Sequence, residues 1–212
     1  MNYVKQLDRE GQQRPFLFSY RRCPFAIRAR MALITCEIDF DIYEISLKDK
    51  PKQMLELSPK GTVPVFIYNE MVLDESLDIM NWAKEQKKNT LIEINPADEG
   101  LVKKIIEAND GEFKNKLDLY KYTSNKDITL KIKYRKDCEI YIKSLNEKLE
   151  TQEYLLSNKF GYLDIAIFPF IRQFFNVDLM WFESNPYKSL KNWVERISDS
   201  ELFNQSMQKP DS

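Results

Sequence analysis

Along the first ninety residues, short apolar runs alternate with stretches of helical spacing. Phe16-Leu17-Phe18-Ser19-Tyr20 is a run of strand length, and a helical pattern takes over at Phe25. That helix, from about Pro24 to Cys36, is apolar almost all round except at Arg28 and Arg30. Such a helix is expected to be covered on both sides. Phe40-Asp41-Ile42-Tyr43-Glu44-Ile45 has the period-two spacing of a half-buried strand, and Pro51–Leu57 reads as a short helix closed by Ser58-Pro59-Lys60-Gly61. Two further strand-like runs, Val63–Tyr68 and Met71–Leu73, flank Asn69-Glu70, the spacing of a tight hairpin. Glu75–Gln86 is helical, anchored by Leu77, Ile79, Met80 and Trp82. The order βαβαββα predicts a mixed sheet with helices on its faces. Pro64 lies inside an apparent strand, for which the pattern favours an edge position. The alternative is a cis Val63–Pro64 bond.

Beyond Gln86 the pattern becomes helical throughout. Residues 87–96, with Lys87-Lys88-Asn89 and a closing Asn95-Pro96, read as a linker. Ala97–Tyr122 and Ile128–Glu150 predict two long charged helices with a polar break at Thr123–Asp127. Phe160–Phe175 has no polar face and predicts a buried central helix, bent at Pro169. At its start Asp164 can reach back to the N–H of Gly161 as half of a capping box, and Phe160 can staple onto Ile165. Lys188–Asp199 adds an amphipathic helix around Leu190, Trp193, Val194 and Ile197. The expected organisation is a polar extension over 1–14, an α/β domain over 15–86, the linker, and an all-helical domain over 97–212.

Composition narrows the chemistry. The chain has 212 residues, with 32 basic and 33 acidic side chains, a balance that argues against a nucleic-acid binder. No apolar run approaches the roughly 20 residues needed to span a bilayer, so no membrane partner is expected. Met1–Arg14 is polar and mixed in charge, unlike a targeting signal. Three cysteines give no disulfide framework, which points to a reducing cytoplasm. The absence of histidine excludes Ser-His-Asp and Cys-His catalysis and His-containing zinc sites. Only five glycines and no G-x-G-x-x-G or Walker sequence argue against dinucleotide and P-loop folds. The remaining sources of chemistry are a cysteine, carboxylates, or a bound cofactor; no metal site is expected.

Cys23 is the candidate nucleophile. The preceding strand delivers it to a helix start, where unpaired N–H groups and the positive end of the macrodipole favour a thiolate. Arg21 and Arg22 add positive charge, and Pro24 suits the first helical position. A small buried hydrophobe is the alternative reading, and the better one for Cys36 and Cys138. Ala26 stands where a C-x-x-C dithiol would place its resolving cysteine, so Cys23 is expected to act as a monothiol.

Cys23-Pro24-Phe25-Ala26, Leu47-Lys48-Asp49-Lys50-Pro51, Ser58-Pro59-Lys60-Gly61-Thr62-Val63-Pro64 and Glu75-Ser76 together resemble the cysteine-type cytosolic glutathione transferases, close to the omega class and to bacterial relatives. The resemblance implies the glutathione transferase fold: an α/β thioredoxin-like N-terminal domain with cis Pro64, plus an all-α C-terminal helical domain. It implies glutathione as co-substrate. Cys23 would point at the glutathione sulfur, and the Val63 backbone beside Pro64 would pair with the cysteinyl part. Glu75 and Ser76 would take the γ-glutamyl end, and Lys50 the glycine end. Charge supports this division, since a helix start holds carboxylates and Lys50 can pair with one. The implied function is thiol transfer, dehydroascorbate reduction or deglutathionylation through a mixed disulfide on Cys23, on a small electrophilic or disulfide substrate, by a homodimer. The family usually has Ser or Thr at the position of Gly161. A non-catalytic binding protein on this scaffold, like the stringent starvation proteins, is the first rival reading. A relative of the intracellular chloride channel proteins is the second.

Overall fold

The computed structural model describes residues 1–7, 14–87 and 94–209. Most of the expected linker, and residues 8–13 of the expected extension, lie outside the described residues. The chain forms two compact units, Met1–Thr90 together with Ser200–Ser212, and Leu91–Asp199.

In the first unit β1 (Asn2–Tyr3), β2 (Phe16–Ser19), β3 (Asp41–Glu44), β4 (Val65–Tyr68) and β5 (Met71–Leu73) form one sheet in the order β1-β3-β2-β4-β5. β1 and β2 run parallel to β3, whereas β4 runs antiparallel to β2 and to β5. Helices α1 (Pro24–Thr35), α2 (Lys52–Leu57) and α3 (Ser76–Gln86) complete the predicted βαβαββα order. Alternate residues serve opposite faces. Phe16, Phe18, Ile45, Val65 and Ile67 share one core with Met54 of α2 and Leu7. Leu17, Ile42 and Phe66, level with one another across β2, β3 and β4, take the other face. There Phe66 meets Trp82 of α3, with ring centroids 4.6 Å apart. Covering both faces explains why these strands read as continuous apolar runs.

Four expectations are corrected. Residues 1–7 are more than a polar extension: Asn2 and Val4 donate backbone hydrogen bonds to Phe40 and Ile42, adding an edge strand, and Leu7 is buried. Pro64 does not mark an edge, since β4 begins after it and is paired on both sides. The Val63–Pro64 bond is cis. Residues 200–212 group with the first unit, and α10 (Glu201–Ser206) packs on α1. Ala97–Tyr122 is not one regular helix but a 3-10 turn (Pro96–Asp98), α4 (Glu99–Ala108), a π turn (Asn109–Phe113) and α5 (Lys114–Tyr122).

The second unit continues with α6 (Ile128–Leu149), α7 (Tyr162–Phe175), α8 (Leu179–Ser184) and α9 (Lys188–Ser198). Every residue of α7 from Tyr162 to Ile171 is buried, as its all-round apolarity requires, and Pro169 lies within the helix. Asp164 is the exception in polarity. Its Oδ2 accepts from Gly161 N at 3.0 Å, the expected half of a capping box. Its Oδ1 accepts from Leu155 N at 3.0 Å and from Trp193 Nε1 at 2.8 Å. One carboxylate thus ties the start of α7 to the segment before it and to α9. Phe160 packs edge-on against Tyr154, with ring centroids 5.7 Å apart. No helix among the described residues is long and apolar enough to cross a membrane.

Candidate functional site

Sheet topology brings the sequence-selected residues to one edge. Cys23 follows the C-terminal end of β2, and Lys50 follows that of the parallel β3. β4 is antiparallel to β2, so Val63 and Pro64 enter it from the same edge. β5 reverses again and delivers Glu75 and Ser76 there. Ligands of open α/β sheets bind beyond such strand ends.

Cys23 is the N-cap residue of α1, with extended backbone, Pro24 next to it, and its carbonyl bonded to Ile27 N at 2.9 Å. Its side chain is half-buried, and Sγ lies 3.6 Å from the carbonyl oxygen of Val63. The predicted nucleophile and the predicted backbone anchor therefore touch. Glu75 is the N-cap of α3 and Ser76 its first residue. Ser76 is buried, and its Oγ accepts from Arg28 NH1 at 3.2 Å. Lys50 makes no hydrogen bond or ion pair among the described residues. Its Nζ stands beside Gly61, 3.7 Å from where a Cβ would lie. No three Cys, Asp or Glu side chains among the described residues are grouped to hold a metal ion.

Further residues at this edge were not selected from sequence. Lys60, read only as part of a turn, bridges Asp74 Oδ1 at 2.9 Å and Glu75 Oε1 at 2.5 Å. Burial raises the pKa of Asp74, but hydrogen bonds from Ser58 Oγ and Lys60 outweigh it and hold the carboxyl below its ordinary value. Donating hydrogen bonds, to Glu75 most and to Asp74 next, in turn raises the pKa of Lys60. Arg28 and Arg30 are both fully buried in α1, Arg28 joined to Ser76 and Arg30 to the turn before Cys23. The only sequence signal for either was a charge interrupting an apolar helix.

The turn ahead of Val63 depends on Gly61, at φ +62°. A Cβ there would sit 3.2 Å from Leu55 Cδ2. Gly61→Ala is expected to cost about 1–2 kcal/mol, the left-handed penalty of an L-residue. Urea unfolding of the variant checks this, and an unchanged midpoint would contradict it.

Comparison with known proteins finds two family profiles. One, described as glutathione S-transferase, N-terminal domain, matches residues 17–90; the other, glutathione S-transferase, C-terminal domain, matches residues 101–201. The chain is 25% identical to glutathione S-transferase U22 of Arabidopsis thaliana over 155 residues, 71% of this chain and 69% of that protein. It is 45% identical to glutathione S-transferase omega-1 of Mus musculus over 56 residues, 26% of this chain and 22% of that protein. It is also 21% identical to the stringent starvation protein A homolog of Haemophilus influenzae, over 90% of this chain and 89% of that one. Among solved structures, a glutathione transferase family member from Pseudomonas fluorescens pf-5 with two glutathione bound superposes with a TM-score of 0.81. It has 14% identity and covers 95% of this chain and 96% of that one.

Proposed function

Because this chain belongs to the glutathione S-transferase family, we propose that it is a glutathione-dependent thiol transferase or reductase whose nucleophile is Cys23. The observation that carries the reading is the Cys23 thiol at the start of α1, 3.6 Å from the Val63 carbonyl, with Ala26 where a resolving cysteine would stand.

The Cys23 thiolate attacks the glutathionyl sulfur of a mixed disulfide. The Cys23–glutathione bond forms, the substrate S–S bond breaks, and the departing thiolate takes up a proton. A second glutathione, as thiolate, attacks that adduct and leaves as oxidised glutathione, restoring Cys23. One disulfide is exchanged for another: the substrate sulfur is reduced to the thiol, the incoming glutathione sulfur is oxidised to the disulfide level, and no second protein cysteine is needed. The helix start and the adjacent arginines favour the thiolate form required at the first step.

In this reading the Val63 backbone, set by Pro64, pairs with the cysteinyl part of glutathione. The N–H groups at the start of α3, with Ser76, hold the γ-glutamyl carboxylate. Glu75 offers its second carboxylate oxygen to the ammonium group while Lys60 holds the first. Lys50 pairs with the glycine carboxylate. The partner at work is a small electrophile or disulfide, and the assembly is a homodimer.

Intact mass after incubation with oxidised glutathione tests the reading. One adduct is expected on the wild type, none on Cys23→Ala, and full reversal by reduced glutathione. An unmodified wild type, or an adduct that persists in Cys23→Ala, would sink Cys23 as the nucleophile. A non-catalytic binding protein would then come forward, a reading favoured by the near full-length match to the stringent starvation protein A homolog.

A further inference from the structure

We propose that Arg30 is a positioning residue for the Cys23 thiolate: its buried guanidinium fixes the turn that presents the thiol and places behind it a positive charge that no carboxylate among the described residues pairs with directly. The inference rests on the reading of Cys23 as nucleophile.

Arg30 follows Cys23 by seven residues, about two helical turns, so the two share a face of α1. Helical side chains lean toward the N-terminus, which sends the Arg30 guanidinium back toward the helix start. It arrives there: NH2 donates to the carbonyl of Arg21, two residues before Cys23, at 2.7 Å. NH1 donates to Ser19 Oγ at the end of β2. From the other side Nε donates to the carbonyl of Ser206 at 2.7 Å, and NH2 also meets Met207 Sδ at 3.8 Å. The turn carrying the thiol is therefore clamped to α10 through one side chain.

All of these partners are neutral. Arg30 is fully buried, and a buried cation is costly unless an anion compensates it. Burial accordingly lowers its pKa to about 10, where it is still charged at neutral pH. Glu44, Tyr3 and Cys23 act in favour of its charge, and Arg21 acts against it. Glu44 on β3 already accepts from Arg21 N at 2.7 Å through Oε1, and its buried Oε2 has no hydrogen-bond partner among the described residues. From α10 and the residue after it, the groups that meet Arg30 are a carbonyl and a thioether. A thiolate at Cys23 is thus the second anion within the field of this cation. Coupling between two charges is reciprocal, so what Cys23 does for Arg30, Arg30 does for Cys23.

The test is the pH dependence of iodoacetamide alkylation of Cys23 in the full chain, with the site fixed by mass. Glutathione is absent, so a failed thiol-transfer assay and a failed titration are separate results. Arg30→Gln is expected to raise the alkylation midpoint by about one pH unit, roughly tenfold less thiolate below both midpoints. Arg30→Lys is expected to recover part of that shift. Glu44→Gln is expected to move the midpoint the other way, down by about half a unit, because the field of Arg30 is then less neutralised. A merely structural role would not produce shifts of opposite sign. Midpoints unchanged, or moved in the same direction by Arg30→Gln and Glu44→Gln, would overturn the proposal. If Arg30→Gln fails to fold, Glu44→Gln decides alone: a lowered midpoint supports it and an unchanged or raised one overturns it.

Discussion

Asp164→Ala is expected to cost about 3–5 kcal/mol of stability, the penalty of stranding buried donors when a paired carboxylate is removed. Three N–H groups converge on this side chain, from Leu155, Gly161 and Trp193, and Asp164 is only 1% exposed. Alanine leaves all three without an acceptor and separates α7 from its neighbours at its first turn. Asp164→Asn is the milder variant, because Leu155 N and Trp193 Nε1 both use Oδ1, which an amide oxygen replaces. Only the bond to Gly161 N is lost, for about 1–2 kcal/mol. The pair also carries a pH signature. Burial pushes the Asp164 pKa up to about 6, against the opposing bonds from Leu155, Trp193 and Gly161. The folded state then holds its proton more tightly than the unfolded chain does. The stability contributed by that protonation is fully present below about pH 4 and is lost as pH rises through about 6. Urea unfolding from pH 4 to 7 should therefore show wild-type stability falling relative to Asp164→Asn. A constant difference across that range would contradict the raised pKa, and a loss below about 1 kcal/mol for Asp164→Ala would contradict the anchoring role.

The second large effect concerns turnover. Cys23→Ser is expected to lower glutathione-dependent disulfide reduction by about 10³-fold or more, the scale of losing a nucleophile. The substitution keeps the size and the N-cap position but replaces sulfur with an oxygen that forms no disulfide. The other two thiols offer no substitute. Cys36 and Cys138 are 1% and 0% exposed, and burial pushes the Cys138 pKa up to about 12, far from the thiolate form. Steady-state reduction of a glutathione mixed disulfide by wild type, Cys23→Ser and Cys138→Ser checks this. Activity of Cys23→Ser within tenfold of wild type, or a comparable loss in Cys138→Ser, would contradict it.

What was legible in the chain follows from where each element draws its stability. The strands of the first unit and α7 are stabilised by their own side chains entering a core, so their periodicity declares them. β1 spans two residues and is joined through backbone bonds to β3, which leave no side-chain pattern. α10 is six residues long and is placed by contacts with α1, far away in sequence. The π turn at Asn109–Phe113 hides inside an unbroken helical pattern because it adds a residue without changing the composition. The site divides the same way. Cys23 stood out because a strand, two arginines and a proline meet at one junction. Arg30 did not, since its partner at Ser206 lies 176 residues away. Lys60 was absorbed into a turn reading, although its two acid partners lie across the loop from it.

The grouping of residues 200–212 with the first ninety has a consequence for biosynthesis. The ribosome makes about 110 further residues after the sheet has emerged, on the order of ten seconds at about 5–20 residues per second. Throughout that interval Arg30 lacks the Ser206 carbonyl, and α1 lacks the cover of α10. The thioredoxin-like sheet can therefore collapse early, yet the turn bearing Cys23 takes its final form only once Ser206 has been made. Synthesis order itself delays the maturation of the thiol until the second unit has been made.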